Sequence, residues 1–157
     1  QRLNETNTVY NMDKEKYFLA LKTAFASEYA FAIKAQNFHW NVEGPNFPQY
    51  HALFERIYTE VYGTIDDFAE NIRKAGTYTP ASLTRFSMLS TIDDETDMLP
   101  AEQMLQELHD DSEKMANIFR ITFDMAEAAG DHGLSNYLAD RQDAHKKHSW
   151  MLRATLK

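Results

Sequence analysis

Cysteine is absent from all 157 residues. Disulfides and thiolate metal sites are therefore excluded, and any bound metal must use oxygen and imidazole ligands. Apolar runs of membrane-spanning length are missing too. The first residues, Gln1 to Thr6, carry no apolar signal-peptide segment, so a cytoplasmic location is expected. Positive charge is in short supply. The net charge of −8 and pI near 5.2 give no overall attraction for nucleic acid. There is no His-Glu-x-x-His, phosphate loop or nucleophile elbow, and no Glu-x-x-His pair of the kind found in di-iron bundles.

What remains is apolar and periodic. A hydrophobic content of 43%, with ten Phe and eight Tyr, argues against disorder, and the length suits one domain. Four long segments repeat apolar residues at three- and four-residue steps, without β alternation. The first opens at Asp13, an N-cap residue, although Lys16 at N3 leaves the capping box incomplete. Phe18, Leu21, Phe25, Ala32 and Ala35 form its stripe, which His39 continues. Glu43-Gly44-Pro45-Asn46-Phe47-Pro48 turns the chain. A second helix follows from about Pro48 to Ala75, with Gly76 at C′ and a stripe of Tyr50, Phe54, Ile57, Val61, Ile65, Phe68 and Ile72. The connection from Gly76 to Pro100 is long and holds a short helix near 81–89 and an acidic run from Asp93 to Asp97. The third helix carries Leu105, Leu108, Met115, Phe119, Thr122 and Ala126. The fourth spans about Leu134 to Leu156, with Leu138, Trp150 and Leu152 among its apolar residues. Residues 1–12 read as a flexible arm. Residues 13–157 read as a single all-α domain, a four-helix bundle joined in the ferritin-like way, with a short extra helix in its long crossover.

Candidate ligands cluster on the second helix. On a wheel with Phe54 at zero, His51, Glu55, Asp66 and Glu70 lie at roughly +60°, +100°, +120° and +160°. They occupy one flank, outside the core stripe. His51/Glu55 and Asp66/Glu70 each have the i,i+4 spacing that lets two side chains converge. The two pairs are about 22 Å apart along the axis, whereas ligands lie about 2–2.5 Å from an ion. One helix cannot close both pairs on one ion. An antiparallel copy about a twofold near residues 60–61 would set His51/Glu55 of one subunit against Asp66/Glu70 of the other, with Tyr58 and Tyr62 near the centre. The alternative is a solvated acidic flank, with His39 a hydrogen-bonded core histidine.

Asn37-Phe38-His39-Trp40-Asn41-Val42-Glu43-Gly44, then Phe47, His51, Phe54 and Glu55, then Asp66-Asp67-Phe68-Ala69-Glu70-Asn71-Ile72-Arg73 with Gly76, resembles the Dps family of ferritin-like mini-ferritins. The closing Lys147-His148-Ser149-Trp150-Met151-Leu152 is similar to that family's last helix. The likeness runs from about residue 13 to 153. It implies a dodecameric hollow cage that oxidises Fe(II), preferentially with hydrogen peroxide, and stores the ferric mineral against oxidative stress. It also implies an inter-subunit iron site, with His39 and His51 from one subunit, Asp66 and Glu70 from its mate, and Trp40 alongside. Asn37, Phe38 and Gly44 look structural in this comparison. Glu55 stands where the family commonly has Asp, which implies a retained site of altered geometry or occupancy.

Other features invite blander readings. The segment 141–157 carries Arg141, Lys146, Lys147, Arg153 and Lys157 against Asp143, a local +4 that reads as a solvated helix end. It is also the one feature favouring the alternative of a DNA-compacting cage with a weakened metal site, as some relatives are. His145 and His148 have chelating spacing, but Lys146 and Lys147 beside them disfavour a cation. Asp131, Asp140 and Asp143 are either pore carboxylates or helix-start and surface residues. Tyr and Met stripes read as core.

Overall fold

Few breakers and continuous apolar spacing produce helices, with no strand among the described residues. The computed structural model describes the backbone of residues 2–157 and the side chains of 13–157. It contains α1 (Arg2–Asn41), α2 (Phe47–Ala75), α3 (Leu83–Leu89), α4 (Ala101–Ala128) and α5 (His132–Thr155). Two antiparallel pairs, α1/α2 and α4/α5, pack together through α1 and α4, and α3 lies on α1. The all-α bundle with a long crossover and a short extra helix is as the periodicity led one to expect. None of the helices among the described residues is long and apolar enough to cross a membrane.

The helix ends follow local chemistry. Gly44 adopts φ +122° in the α1–α2 turn, and Phe47 N–H donates to the Gly44 carbonyl at 3.0 Å. Pro48 falls in the first turn of α2, where its missing N–H costs nothing. Gly76 ends α2 at φ +110°, its N–H bonded to the Arg73 carbonyl. Ser82 caps α3, its side chain accepting from the Arg85 N–H at 3.2 Å.

One boundary differs from expectation. α1 begins at Arg2, so Asp13 is an exposed interior position and not a cap. Residues 2–12 contain neither Gly nor Pro, so nothing there forces the helix to stop. The expected arm at 1–12 falls on side chains outside the described residues.

The core is aromatic. Phe31, Phe38, Phe54, Phe68 and Phe119 are fully buried, with Leu21, Ile57, Ile72, Leu105, Leu108 and Met115 around them. Met88 at 72% exposure and Met98 at 58% face outward; both lie in the crossover, which covers little of itself. Trp150 is exposed as well, pointing away from the α5 stripe. A buried ion pair, Lys34 Nζ to Asp111 at 2.8 Å, ties α1 to α4.

Gly76→Ala should cost about 1–3 kcal/mol, because an L side chain at this positive φ is strained whatever space it finds. A reversible urea titration would measure the loss. An unchanged midpoint would mean that the α2 terminus relaxes freely.

Candidate metal centre

The turn after α1 brings His39 and His51 together. Buried Phe38 packs against Phe54 at 5.8 Å, drawing the end of α1 onto the start of α2. Asn37 donates its side-chain N–H to the Glu95 carbonyl at 3.1 Å, anchoring the same turn to the crossover. Asn37, Phe38 and Gly44 are thus structural in fact.

Between these anchors the two imidazoles lie face to face, with ring centres 3.8 Å apart and planes 16° from parallel. His39 Nδ1 is 2.7 Å from the His51 carbonyl, and His51 Nδ1 is 2.6 Å from the His39 carbonyl. A carbonyl only accepts, so each Nδ1 carries the hydrogen and donates. The reciprocal clasp fixes both tautomers and leaves each Nε2 with a free lone pair, the state in which histidine binds a metal. The clasp also satisfies the His39 carbonyl, one of the last four in α1, which lack helical partners. The negative end of that helix favours a cation beside it. Phe47 stacks on His51 at 4.9 Å, and Tyr58 touches His39 at 5.2 Å.

The other predicted residues divide by position. Glu55 is exposed one turn beyond His51, within reach of the same pair. Asp66 and Glu70 are exposed on the same flank of α2, about 22 Å along an uninterrupted helix from His51. The chain does not bring them to the histidines. Trp40 is 65% exposed beside His39. No group of three or more His, Asp or Glu side chains able to hold an ion forms within a single chain among the described residues. What the chain presents is two separate groups: the stacked imidazoles with Glu55 one turn on, and a distant carboxylate pair. Asp131 accepts a hydrogen bond from the Tyr17 hydroxyl at 3.2 Å, which gives it a structural role at the α5 start.

A second cluster lies inside the bundle, where the sequence reading placed solvated cations. Arg141 is only 3% exposed and Glu28 is completely buried. The Arg141 guanidinium bonds Glu28 through Nε at 3.2 Å and Glu60 through Nη1 and Nη2 at 2.6 and 3.0 Å. His145 Nε2 donates to Glu28 at 2.6 Å, and His148 Nε2 to Glu60 at 2.8 Å. The signal was legible. Glu28 sits in register between Phe25 and Ala32 on the α1 stripe, and Arg141, His145 and His148 occupy the steps between Leu138 and Leu152 on α5. Polar residues at core register positions must pair with one another, since water cannot reach them.

The electrostatics follow. Burial alone would raise the Glu28 and Glu60 carboxyls. The charges and hydrogen bonds of His145 and Arg141 hold Glu28 below the ordinary range, and those of His148 and Arg141 hold Glu60 at about 2. Burial depresses His148 below 6.5, outweighing the Glu60 carboxylate. The network already contains its cation, Arg141, between the two carboxylates.

Two outcomes follow for this network. Arg141→Ala should cost about 3–5 kcal/mol in chemical denaturation, because it strands a buried carboxylate. Acid should weaken the wild type in two stages. Below 6.5 the unfolded chain protonates His148 more readily than the fold does; below 4.5 the same holds for Glu28 and Glu60. Scanning calorimetry against pH reads both limbs, and His148→Gln should flatten the upper one.

Known proteins share this fold. A family profile for the ferritin-like domain matches residues 19–157. The DNA protection during starvation protein of Brevibacillus brevis is 34% identical over 79% of this chain and 83% of its own length. The crystal structure of a Dps protein from Bacillus brevis superposes with a TM-score of 0.88 at 30% identity, covering 93% of this chain and 98% of that one. Vibrio cholerae O1 Dps, described as a member of a broad superfamily of ferritin-like diiron-carboxylate proteins, gives a TM-score of 0.87 at 29% identity, covering 93% of this chain and 92% of that one.

Proposed function

Since this chain belongs to the Dps family of ferritin-like proteins, we propose that it is an iron-storage and detoxification protein that oxidises Fe(II), with hydrogen peroxide as preferred oxidant, at centres shared between subunits of a dodecameric cage. The observation that carries this reading is the histidine clasp, which fixes the hydrogen of each ring on Nδ1 and so leaves both Nε2 atoms for a metal. Imidazole and carboxylate together suit Fe(II), and further carboxylates stabilise Fe(III) as it forms.

His39 and His51 of one subunit, with Glu55, bind the substrate Fe(II). Asp66 and Glu70 of the twofold mate complete its ligands, because the rise of α2 keeps them from doing so within one chain. Oxidation is helped by a ligand set that gains more from Fe(III) than from Fe(II). The clasp contributes orientation: its Nδ1–H bonds hold both rings before iron arrives and raise their basicity. Trp40 flanks the centre and takes up stray oxidising equivalents. The Asp131, Asp140 and Asp143 carboxylates are the candidates for lining the route by which iron is admitted. The bundle interior contributes no second iron centre, because the Arg141 guanidinium occupies the space between Glu28 and Glu60.

The name of the Brevibacillus brevis relative raises a second reading, a DNA-compacting shell. Its only local support is the C-terminal charge. Burial of Arg141 leaves Lys146, Lys147, Arg153 and Lys157 as the exposed cations of segment 141–157, on a chain of net charge −8. Stable gel retardation of duplex DNA at low salt, weakening as salt rises, would favour that reading; none is expected.

Stopped-flow mixing of the iron-free protein with Fe(II) should show faster oxidation by peroxide than by dioxygen. A His39→Ala/His51→Ala double variant should slow the fast phase by at least about 10–100-fold, the range seen for disturbed metal sites. Equal rates in wild type and variant would remove the assignment.

A further inference from the structure

We propose that Glu107 and Glu95 share one proton and so form a pH-sensitive latch, which closes the crossover segment 93–98 onto the bundle in acid and releases it in base.

Little else holds that segment. Ile92 is buried just before it, and α4 opens at Ala101 just after it. Between these anchors Asp93, Asp94, Thr96, Asp97 and Met98 are all exposed, and Glu95 alone is part-buried. The Glu95 carbonyl accepts from the Asn37 side chain at 3.1 Å, and its carboxylate accepts from the Asp97 N–H at 2.9 Å. The second of these bonds lies within the segment, so it shapes the loop without fastening it. The other fastening is the meeting of the Glu95 carboxyl with Glu107 on α4.

Two carboxylates cannot hydrogen-bond to each other, since each only accepts. As a carboxylate, Glu107 keeps an oxygen, Oε2, that is cut off from water and has no hydrogen-bond partner among the described residues. Lys34 on α1 does not supply one. Its Nζ lies 3.8 Å from Glu107 Oε2, beyond hydrogen-bond reach, and is turned to Asp111 at 2.8 Å. Four charged groups thus face one another: Glu107 and Asp111 from α4, Lys34 from α1 and Glu95 from the crossover. Three carboxylates against one ammonium leave an excess of negative charge, which burial disfavours. A proton on Glu107 removes one charge and creates the donor that the pair lacks.

The acidities agree with this arrangement. Burial, and then the hydrogen bond to Glu95, push the Glu107 carboxyl up to about 7, against the pull of Lys34. The Asp97 N–H, and then the proton on Glu107, hold Glu95 below the ordinary carboxylate range, which makes it the acceptor. An acid raised in the fold binds its proton more tightly there than in the unfolded chain. The latch is therefore closed at the ordinary Glu value of 4.5 and opens as pH rises through about 7. That slope runs against the one set by His148, which weakens the fold as pH falls, so the latch is read locally and not from global stability. Because Asn37 bonds the same residue, opening also frees the brace on the turn that carries His39.

Hydrogen–deuterium exchange of the intact, metal-free protein, read by mass spectrometry and corrected for the intrinsic pH dependence of exchange, tests the latch. Protection of residues 93–98 is expected to fall several-fold in a single step centred near pH 7. Glu107→Gln keeps a donor toward Glu95 at every pH, so its segment should stay closed and show no step. Glu95→Gln offers an ionised Glu107 an amide donor and should likewise abolish the step. Glu107→Ala removes the donor and should leave the segment open even in acid. In the infrared, a protonated carboxyl band should titrate near pH 7 in the wild type and be missing from Glu107→Gln. Protection of 93–98 that does not change with pH, a step of wild-type size in both Gln variants, or a Glu107 carboxyl that ionises in the ordinary carboxylate range would each overturn the latch. None of these readings requires iron, so they stand apart from the assignment of the histidine centre.

Discussion

Two histidines that bond to each other's backbone set the terms for the rest of this molecule. The His39–His51 clasp closes the α1–α2 turn and fixes two tautomers, both with the same pair of Nδ1–H bonds. It joins fold and chemistry at one point: loosening the turn would cost both a helix connection and the orientation of both ligands. Phe38 on Phe54 and Asn37 on the crossover brace it from either side. A site held this way is organised before its substrate binds, so less binding energy goes into ordering side chains.

The bundle interior shows the opposite solution to a similar set of groups. Glu28, Glu60, His145 and His148 bring two carboxylates and two imidazoles into the core, yet the cation among them is the chain's own Arg141. A guanidinium satisfies both carboxylates through several hydrogen bonds and cannot be deprotonated there. The network is therefore structural, and it ties stability to pH. His145 packs between Phe31 and Phe119, so even its ring is used as core volume. In the proposed reading, chemistry belongs instead to the exposed flank of α2, where Glu55, Asp66 and Glu70 stand free of the core.

Much of this was legible from residue order. The stripes of α2 and α4 matched their buried faces, because a single apolar face per helix is a local property. The long crossover and the Gly76 stop were readable for the same reason. The start of α1 was misplaced, since a good cap residue is only an opportunity and an unbroken helix former can run through it. The misreading of Arg141 as a solvated cation, and the weighing of His145 and His148 only as a chelating pair, came from putting residue type above register: their positions between Leu138 and Leu152 were core positions, and a polar residue there implies partners on other helices.

Sequence alone settled the class of ligand, the all-helical architecture and the impossibility of joining His51 to Asp66 within one chain, because helix rise is a fixed length per residue. It also carried the family likeness, through short runs whose spacing survives without reference to space. Tertiary structure decided everything that depends on groups far apart in sequence: the facing of His39 on His51, the threading of Arg141 between Glu28 and Glu60, and the meeting of Lys34 with Glu107 and Asp111. These arise where separate helices meet, and no periodicity within one helix specifies which rotamer of another will be waiting there.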